Sequence, residues 1–339
     1  MNLFQGITKL KENKKYNSVV RSITSFREAG IILIILVVCL ILSLLTPHFL
    51  TRDNLITTAI GLSADGIMVI GMTVALVSGG FDLSVGSIMG LSGVTAGILY
   101  LEGMNIWIAC IIALIVGIIC GLVNGFFIGI VGLNPLITTL GMMGIARGAA
   151  YVLTQGSPLS LFAIPKSFAF LGEGKILGIP VIVFLFFAMA IIGDFLLRRS
   201  EPIRRVFYVG SNEKAAILSG INASKVKIGV FILTATLSSI AGILSLARFT
   251  VAAPTAGLGS ELRVISAAVI GGASLNGGEG TILGAVLGVI LLNIISNGLV
   301  LLNVSVYWQD LINGIILIIA VTFDYISHQN KLKRLKINK

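Results

Sequence analysis

The sequence predicts an all-α integral membrane protein of about ten transmembrane helices. Three observations predict it. The 339 residues are 56% hydrophobic and only 11% charged, against about 25% charged in a soluble globule. Mean hydropathy is +1.04, and a soluble fold with so little polar surface would expose aggregating apolar patches. Finally, most of the 24 basic residues fall in three clusters beside apolar runs. The first is Lys9, Lys11, Lys14, Lys15, Arg21 and Arg27; the second is Arg198, Arg199, Arg204, Arg205, Lys214, Lys225 and Lys227; the third is Lys331, Lys333, Arg334, Lys336 and Lys339. Under the positive-inside rule all three face the cytoplasm. The net charge of +10 therefore reads as sidedness, and no nucleic-acid partner is expected.

A spanning helix needs roughly 20 largely apolar residues. After a basic segment, 1–28, the run 29–46 could pass for a secretory signal. "LLTPHFLTRDN" follows it without a small-residue cleavage pattern, so it reads as an uncleaved first span. The run 55–78 is a clear second span, and 84–101 is a weaker third, diluted by glycine and polar residues. Next come 105–131, clear, then 135–153, weaker, then 176–197, clear. The loop 198–227 follows. Beyond it lie 228–251, the weaker 262–273, then 281–302 and 307–326, and a basic tail, 327–339. A transmembrane domain, 29–326, results.

The charges test this count. Six passages from a cytoplasmic start return the chain inside at 198–227, and four more return the tail inside. Segments 47–54, 102–104, 154–175, 252–261 and 303–306 are then outside, and none is large enough to fold as a substrate-binding domain. Glycines within the spans suit close helix packing in lipid. Cys39, Cys110 and Cys120 sit in apolar runs as small hydrophobes. His48 and His328 have no metal-ligand spacing, and no metal or cofactor is expected. The phosphate-binding G-x-x-x-x-G-K-[ST] motif is absent, so any ATP hydrolysis falls to another chain.

Within the cytoplasmic loop lies "VGSNEKAAILSGINASKVK". Ser211 is the expected N-cap of a helix of about two turns, with Glu213 in its first turn and Gly220 just past its end. Ala215 and Ala216 would let another surface come close. Capping signals alone fit a docking element and a plain connecting loop equally.

Two glycine-rich breaks stand out. In "SGGFDLSVGS", Gly79 and Gly80 end one helix, and Asp82 or Ser84 caps the next at membrane depth. "GGASLNGGEGT" brings Gly271, Gly272, Asn276, Gly277 and Gly278 to a second turn on the same side. Both are expected in an inner gate, the bland alternative being static turns. Polar residues within the spans offer a water-lined path: Asp65, Asn124, Arg147, Glu261, Arg263, Asn293 and Asn297, the alternative for Arg147 being to neutralise carbonyl ends or an acid. Asn293 and Asn297 share one helix face, and interhelical hydrogen bonding would explain them equally well. Glu261 and Arg263 are expected near the outer surface, for docking or simple solvation.

"VIGMTVALVSGGFDLSVGSIMGLSG", 69–93, resembles the I-G-M-T-x-V-x-L-x-G-G-I-D-L-S-V-G-S signature of monosaccharide-type ABC transporter permeases. "LITTLGMMGIARGAAYVLTQGSP", "APTAGLGSELRVISAAVIGGASLNGGEGT" and "SNGLVLLNVSVYWQ" continue the resemblance in order across nearly the whole chain. Glu213-x-Ala215-Ala216-x-x-x-Gly220 is similar to the E-A-A-x-x-x-G element by which such permeases dock on their ATPases, with Lys214 inserted. The resemblance implies an ABC importer permease fold in a bacterial plasma (inner) membrane, both termini cytoplasmic. It implies a non-enzymatic transport subunit working by alternating access. Its partners would be a second permease subunit, two ATP-binding ABC subunits and an extracytoplasmic sugar-binding protein, all in membrane lipid. Ala253, Ser260 and Arg263 replace the family's usual Gln, Tyr and Asp, and Asp65 and Glu279 also depart from its pattern. These changes bear on the substrate more than on the fold. The alternative is an ion-gradient-driven transporter using Asp65 and Asp82 as ion sites. A channel is a further rival, and no paired acids or Ser–His arrangement supports an intramembrane enzyme.

Overall fold

The structure, a computed structural model, describes residues 28–337. The expected basic N-terminal segment 1–28, apart from Glu28, lies outside the described residues, as do the last two residues of the tail. The apolar runs form α1 (Ala29–Leu45), α2 (Arg52–Val77), α3 (Val85–Leu101), α4 (Ile106–Phe126) and α5 (Pro135–Thr154). A π-helical turn, Phe127–Val131, ends α4. After the short α6 (Lys166–Glu173) come α7 (Val181–Arg199), α8 (Glu201–Ser211), α9 (Glu213–Leu218) and α10 (Ala223–Phe249). The chain closes with α11 (Ser260–Ile270), α12 (Ile282–Leu301) and α13 (Val306–Ile337). Two small antiparallel pairs decorate one end: β1 (Leu159–Ser160) with β4 (Val251–Ala252), and β2 (Lys175–Ile176) with β3 (Ile179–Pro180).

Among the described residues seven helices are long and apolar enough to cross a membrane, and α1 and α3 are shorter apolar helices. With α11 these make the ten passages the sequence predicts. α11 corrects the boundaries of one. The span expected at 262–273 is a helix of only 11 residues, about 16 Å long, against a hydrocarbon core of about 30 Å. The rest of that passage is a run of turns, 254–259, that follows the short strand β4. Residues 252–257 descend along α3, where β-carbons on Gly97, Gly90 and Gly86 would strike Ala252, Ala256 and Gly257 in turn. Pro254 and the left-handed Gly257 and Gly259 (φ +70° and +75°) stop the helix from starting earlier. Arg147 from α5 donates to the carbonyls of Pro254 and Ala256, the latter at 2.8 Å. Irregular backbone at membrane depth survives only when protein supplies such partners.

Small residues set the helix spacing. Gly117, Gly121, Gly125 and Gly129 recur every fourth residue down one face of α4 and its π turn, against Ser239, Phe231, Ile228 and Ser224 of α10. Side chains there would push the two helices apart. α2 is the central element, buried without interruption from Gly66 to Val77, and it packs on α7, α10, α11 and α12.

Three other boundaries move. The sixth span begins at Val181, because 175–180 form the β2–β3 hairpin. The loop 198–227 holds the amphipathic α8, which turns Val206 and Val209 inward. The tail continues α13 as helix to Ile337. Segments expected on opposite sides collect at opposite ends. β1, β4 and α6 gather at the far end, where Tyr100 Oη donates to the Ala163 carbonyl at 2.9 Å. α8, α9 and both glycine turns gather at the near end.

Candidate coupling junction and polar seam

Three stretches of backbone meet at the near end. The Gly278 N–H donates to the Val77 carbonyl at 2.8 Å, joining the two glycine turns. The last turn of α8 presses between them. A β-carbon on Gly210 would overlap the Val77 carbonyl oxygen and lie 2.9 Å from the Gly278 nitrogen. One on Gly277 would lie 2.7 Å from the Gly210 oxygen and 3.0 Å from the Gly79 α-carbon. Gly79, Gly210 and Gly277 thus stack main chain on main chain. Gly79 and Gly277 also hold positive φ (+83° and +80°), where an L side chain is strained. Gly210 was not singled out from sequence; the small pair Gly210–Ser211 just before the helix was the available signal. Gly271 makes a similar contact one turn away, its β-carbon position 2.5 Å from the Ala285 α-carbon on α12.

α9 leaves this junction directly. Its N-cap is Asn212, one residue after the expected Ser211: Asn212 Oδ1 accepts the Ala215 N–H at 3.0 Å. Ser211 instead packs against Gly278, which has no side chain to displace it. Glu213, in the first turn, is bridged to Lys227 Nζ of α10 at 2.6 Å. Ala216 is buried with Val209 and Ala223, while Ala215 faces outward. The end closes as the Ile221 N–H donates to the Ala216 carbonyl at 3.0 Å, with Gly220 at φ +84°. Nothing lies within 4 Å of a β-carbon at Gly220. A bulky residue there would therefore strain the backbone by about 1 kcal/mol rather than clash. Gly220→Leu should accordingly halve uptake or worse while the protein still inserts, as read by immunoblot and solute uptake. Two residues the sequence reading passed over form the helix tip: Ile217 is 54% and Leu218 89% exposed. A cleft of about 530 Å³ lies beside α9, between Gly79, Gly80, Asn134, Asn212, Lys227 and Asn276.

Asp82 is fully buried. Its Oδ1 accepts the Ser84 N–H at 3.0 Å and the Ser84 hydroxyl at 2.5 Å. Its Oδ2 accepts the Thr234 hydroxyl at 2.6 Å. Asn124 Nδ2 donates to Ser84 Oγ at 3.1 Å. Asp82 therefore accepts one main-chain bond at the start of α3, and it also ties α3 to α10. Ser84 occupies the N-cap position without a side-chain cap bond. Thr234 lies 11 residues into α10, about 16 Å from its start, so the turn sits well inside the bundle. Asn124 belongs to this cluster and not to the other asparagines.

The remaining polar candidates form a seam along α2. Asp65, near the midpoint of this 26-residue helix, accepts from Arg263 Nε at 2.9 Å, and Arg263 Nη2 donates to Ser260 Oγ at 2.6 Å. Asn297 and Asn54 exchange amide bonds of 2.8 and 3.0 Å. Asn293, one turn deeper, lies 3.7 Å from where a β-carbon on Gly61 would be. Among the described residues, Glu261 Oε2 is buried without a hydrogen-bond partner, beside Gly86. Glu261 and Arg263 thus lie at half-depth, not at the outer rim. The reason is that residues 252–259, expected to stay outside, carry the chain inward before α11 begins.

Closely packed apolar helices, with an ion pair and amides held part-way along α2, define a polytopic membrane protein. Residues 54–321 match the family described as "Branched-chain amino acid transport system / permease component", and the chain belongs to that family. It is similar to the ribose import permease protein of Escherichia coli strain K12, 37% identical over 88% of this chain and 93% of that one. The ribose import permease protein of Bacillus subtilis strain 168 is 36% identical over 88% and 92%. The L-arabinose transport system permease protein of Escherichia coli strain K12 is 37% identical over 91% and 92%. No solved structure matches the chain.

Proposed function

We propose that this chain is the membrane subunit of an ATP-driven ABC importer for a monosaccharide or similar small polar solute. A separate binding protein delivers the solute from outside, and the chain pairs with a second permease subunit, its own copy or a sister chain. Two ATP-binding subunits dock at the near end, which faces the cytoplasm together with both termini. The observation that carries this reading is α9: a capped helix with an exposed apolar tip, whose base is wedged between the two glycine turns. A subunit gripping Ile217 and Leu218 would move Gly210, and Gly210 cannot move without shifting both turns. Alternating access follows if those turns belong to the inner gate. The similarity to ribose and L-arabinose permeases supports a sugar as cargo.

In this reading Asp65 and Arg263 form a mid-depth constriction, and Asn293 and Asn297 offer hydrogen bonds to hydroxyl groups without a strong charge. Glu261 and Arg263 then serve the pathway rather than the docking of the binding protein. An ion-driven mechanism needs an acid free to take an ion. Asp65 is committed to Arg263 and Asp82 to three donors, which favours the ATP-driven reading. Asp65→Asn should lower ribose or arabinose uptake about tenfold by leaving the arginine without its carboxylate. The exchange Asp65→Arg with Arg263→Asp should recover part of it. The function is tested in proteoliposomes holding the permease, its ATPases and external binding protein. Uptake should require internal ATP and persist without ion gradients; uptake on a gradient alone, without ATP, would overturn the proposal.

A further inference from the structure

The near ends of α7 and α12 meet at Gly193, Asp194, Ile282 and Leu283 and leave a groove open beside that contact. The groove, of about 440 Å³, is lined by Phe187, Ile191, Phe195, Leu283 and Val286 and opens at Arg198 and Arg199. A second cavity of about 410 Å³ adjoins it around the end of α7, lined by Arg198, Arg204, Phe207, Tyr208 and Thr281. The two share Asp194 and Arg198, so an apolar slot leads into a basic chamber. The slot faces outward, with Ile191 69% and Phe195 62% exposed.

The charges are not balanced. Asp194 Oδ2 takes Arg198 Nε at 2.6 Å, and its Oδ1 takes the Leu283 N–H at 3.3 Å. Glu28 accepts the Thr281 hydroxyl at 3.0 Å, and Glu201 pairs with Arg205. Arg199 and Arg204 form no ion pair among the described residues. Among the described residues, then, Arg199 in the slot's lining and Arg204 in the adjoining chamber are without an acid partner.

We propose that this groove binds an anionic phospholipid, one acyl chain lying between α7 and α12 and the phosphate held by Arg199 and Arg204, with Arg198 beside it. Guanidinium forks match phosphate oxygens in pairs, and basic pockets between membrane helices at a polar boundary hold such headgroups. Free phosphate would leave the slot unfilled. A second permease copy fits less well, because the slot presents phenylalanines. The glycine of this helix, Gly193, points inward at Ile70 and Ile282. A lipid here would brace the corner from α7 to α8, the helix that carries Gly210.

The test is native mass spectrometry of the purified chain with phosphatidylglycerol or phosphatidylcholine added. Wild type should retain phosphatidylglycerol about tenfold better, and Arg199→Gln with Arg204→Gln should abolish that preference. Arg205→Gln, which alters an arginine already paired with Glu201, should keep it. If the double variant elutes as aggregate, Arg204→Gln alone and the wild-type lipid comparison still decide. Equal retention of both lipids, full retention by the variants, displacement by inorganic phosphate, or an intersubunit disulfide from Ile191→Cys would each overturn the proposal.

Discussion

Gly210→Ala is expected to reach the membrane at normal levels and to lose at least about tenfold in solute uptake, equivalent to roughly 1.4 kcal/mol of lost coupling. The added methyl group would overlap a backbone carbonyl, that of Val77, which cannot swing away as a flexible side chain could. The three-way stack of Gly79, Gly210 and Gly277 must open, and the turn that positions Asp82 moves with it. Gly229→Ala is the control. Gly229 lies on exposed α10 surface with nothing within 4 Å of a β-carbon, so its uptake should stay near wild type. Uptake assays beside immunoblots of membrane fractions measure both. The reading of Gly210 as the transmitting contact would not survive equal uptake by the two variants.

Asp82→Ala is the second large effect. It removes one acceptor from three donors in a site with no solvent exposure. Leaving such groups unpaired costs about 1–3 kcal/mol each where no alternative partner exists. The Thr234 hydroxyl has one, the Phe231 carbonyl at 3.0 Å, so a total of about 3 kcal/mol is expected. The purified variant should melt several degrees below wild type in detergent. Asp82→Asn separates two roles. Its amide oxygen can still take the Ser84 N–H, and its nitrogen can donate to the Thr234 hydroxyl. A purely structural acid predicts that Asn keeps both stability and uptake. A need for the charge itself predicts normal melting with lost uptake.

Much of this architecture was legible because lipid imposes simple rules. Apolar length marked the passages. The glycine runs at Gly79 and Gly277 marked the turns because few other residues hold those φ values. For α11 the same rules place a helix but not its extent. Its apolar run reads as a weak span, and hydropathy cannot tell a short helix preceded by a run of packed turns from a full helical crossing. The carbonyls of Pro254 and Ala256 are satisfied by Arg147, more than 100 positions away in sequence, and no local pattern reveals that. The pairing of Asp65 with Arg263 was hidden likewise, since each residue alone reads as an isolated charge. Gly210 escaped notice because one glycine near a helix end signals only a cap. Its role comes from two turns brought to it by tertiary packing.

In the proposed importer α9 faces the cytoplasm and there receives the motor. Leu218, 89% exposed, is the position to probe, because the native Cys39, Cys110 and Cys120 are buried or half-buried. Leu218→Cys, treated with a membrane-impermeant maleimide, should be labelled in inverted vesicles and untouched in intact cells. Assembly with the ATP-binding subunits should then protect it. Labelling from outside intact cells would put α9 on the wrong side of the membrane for any ATPase and would contradict the account.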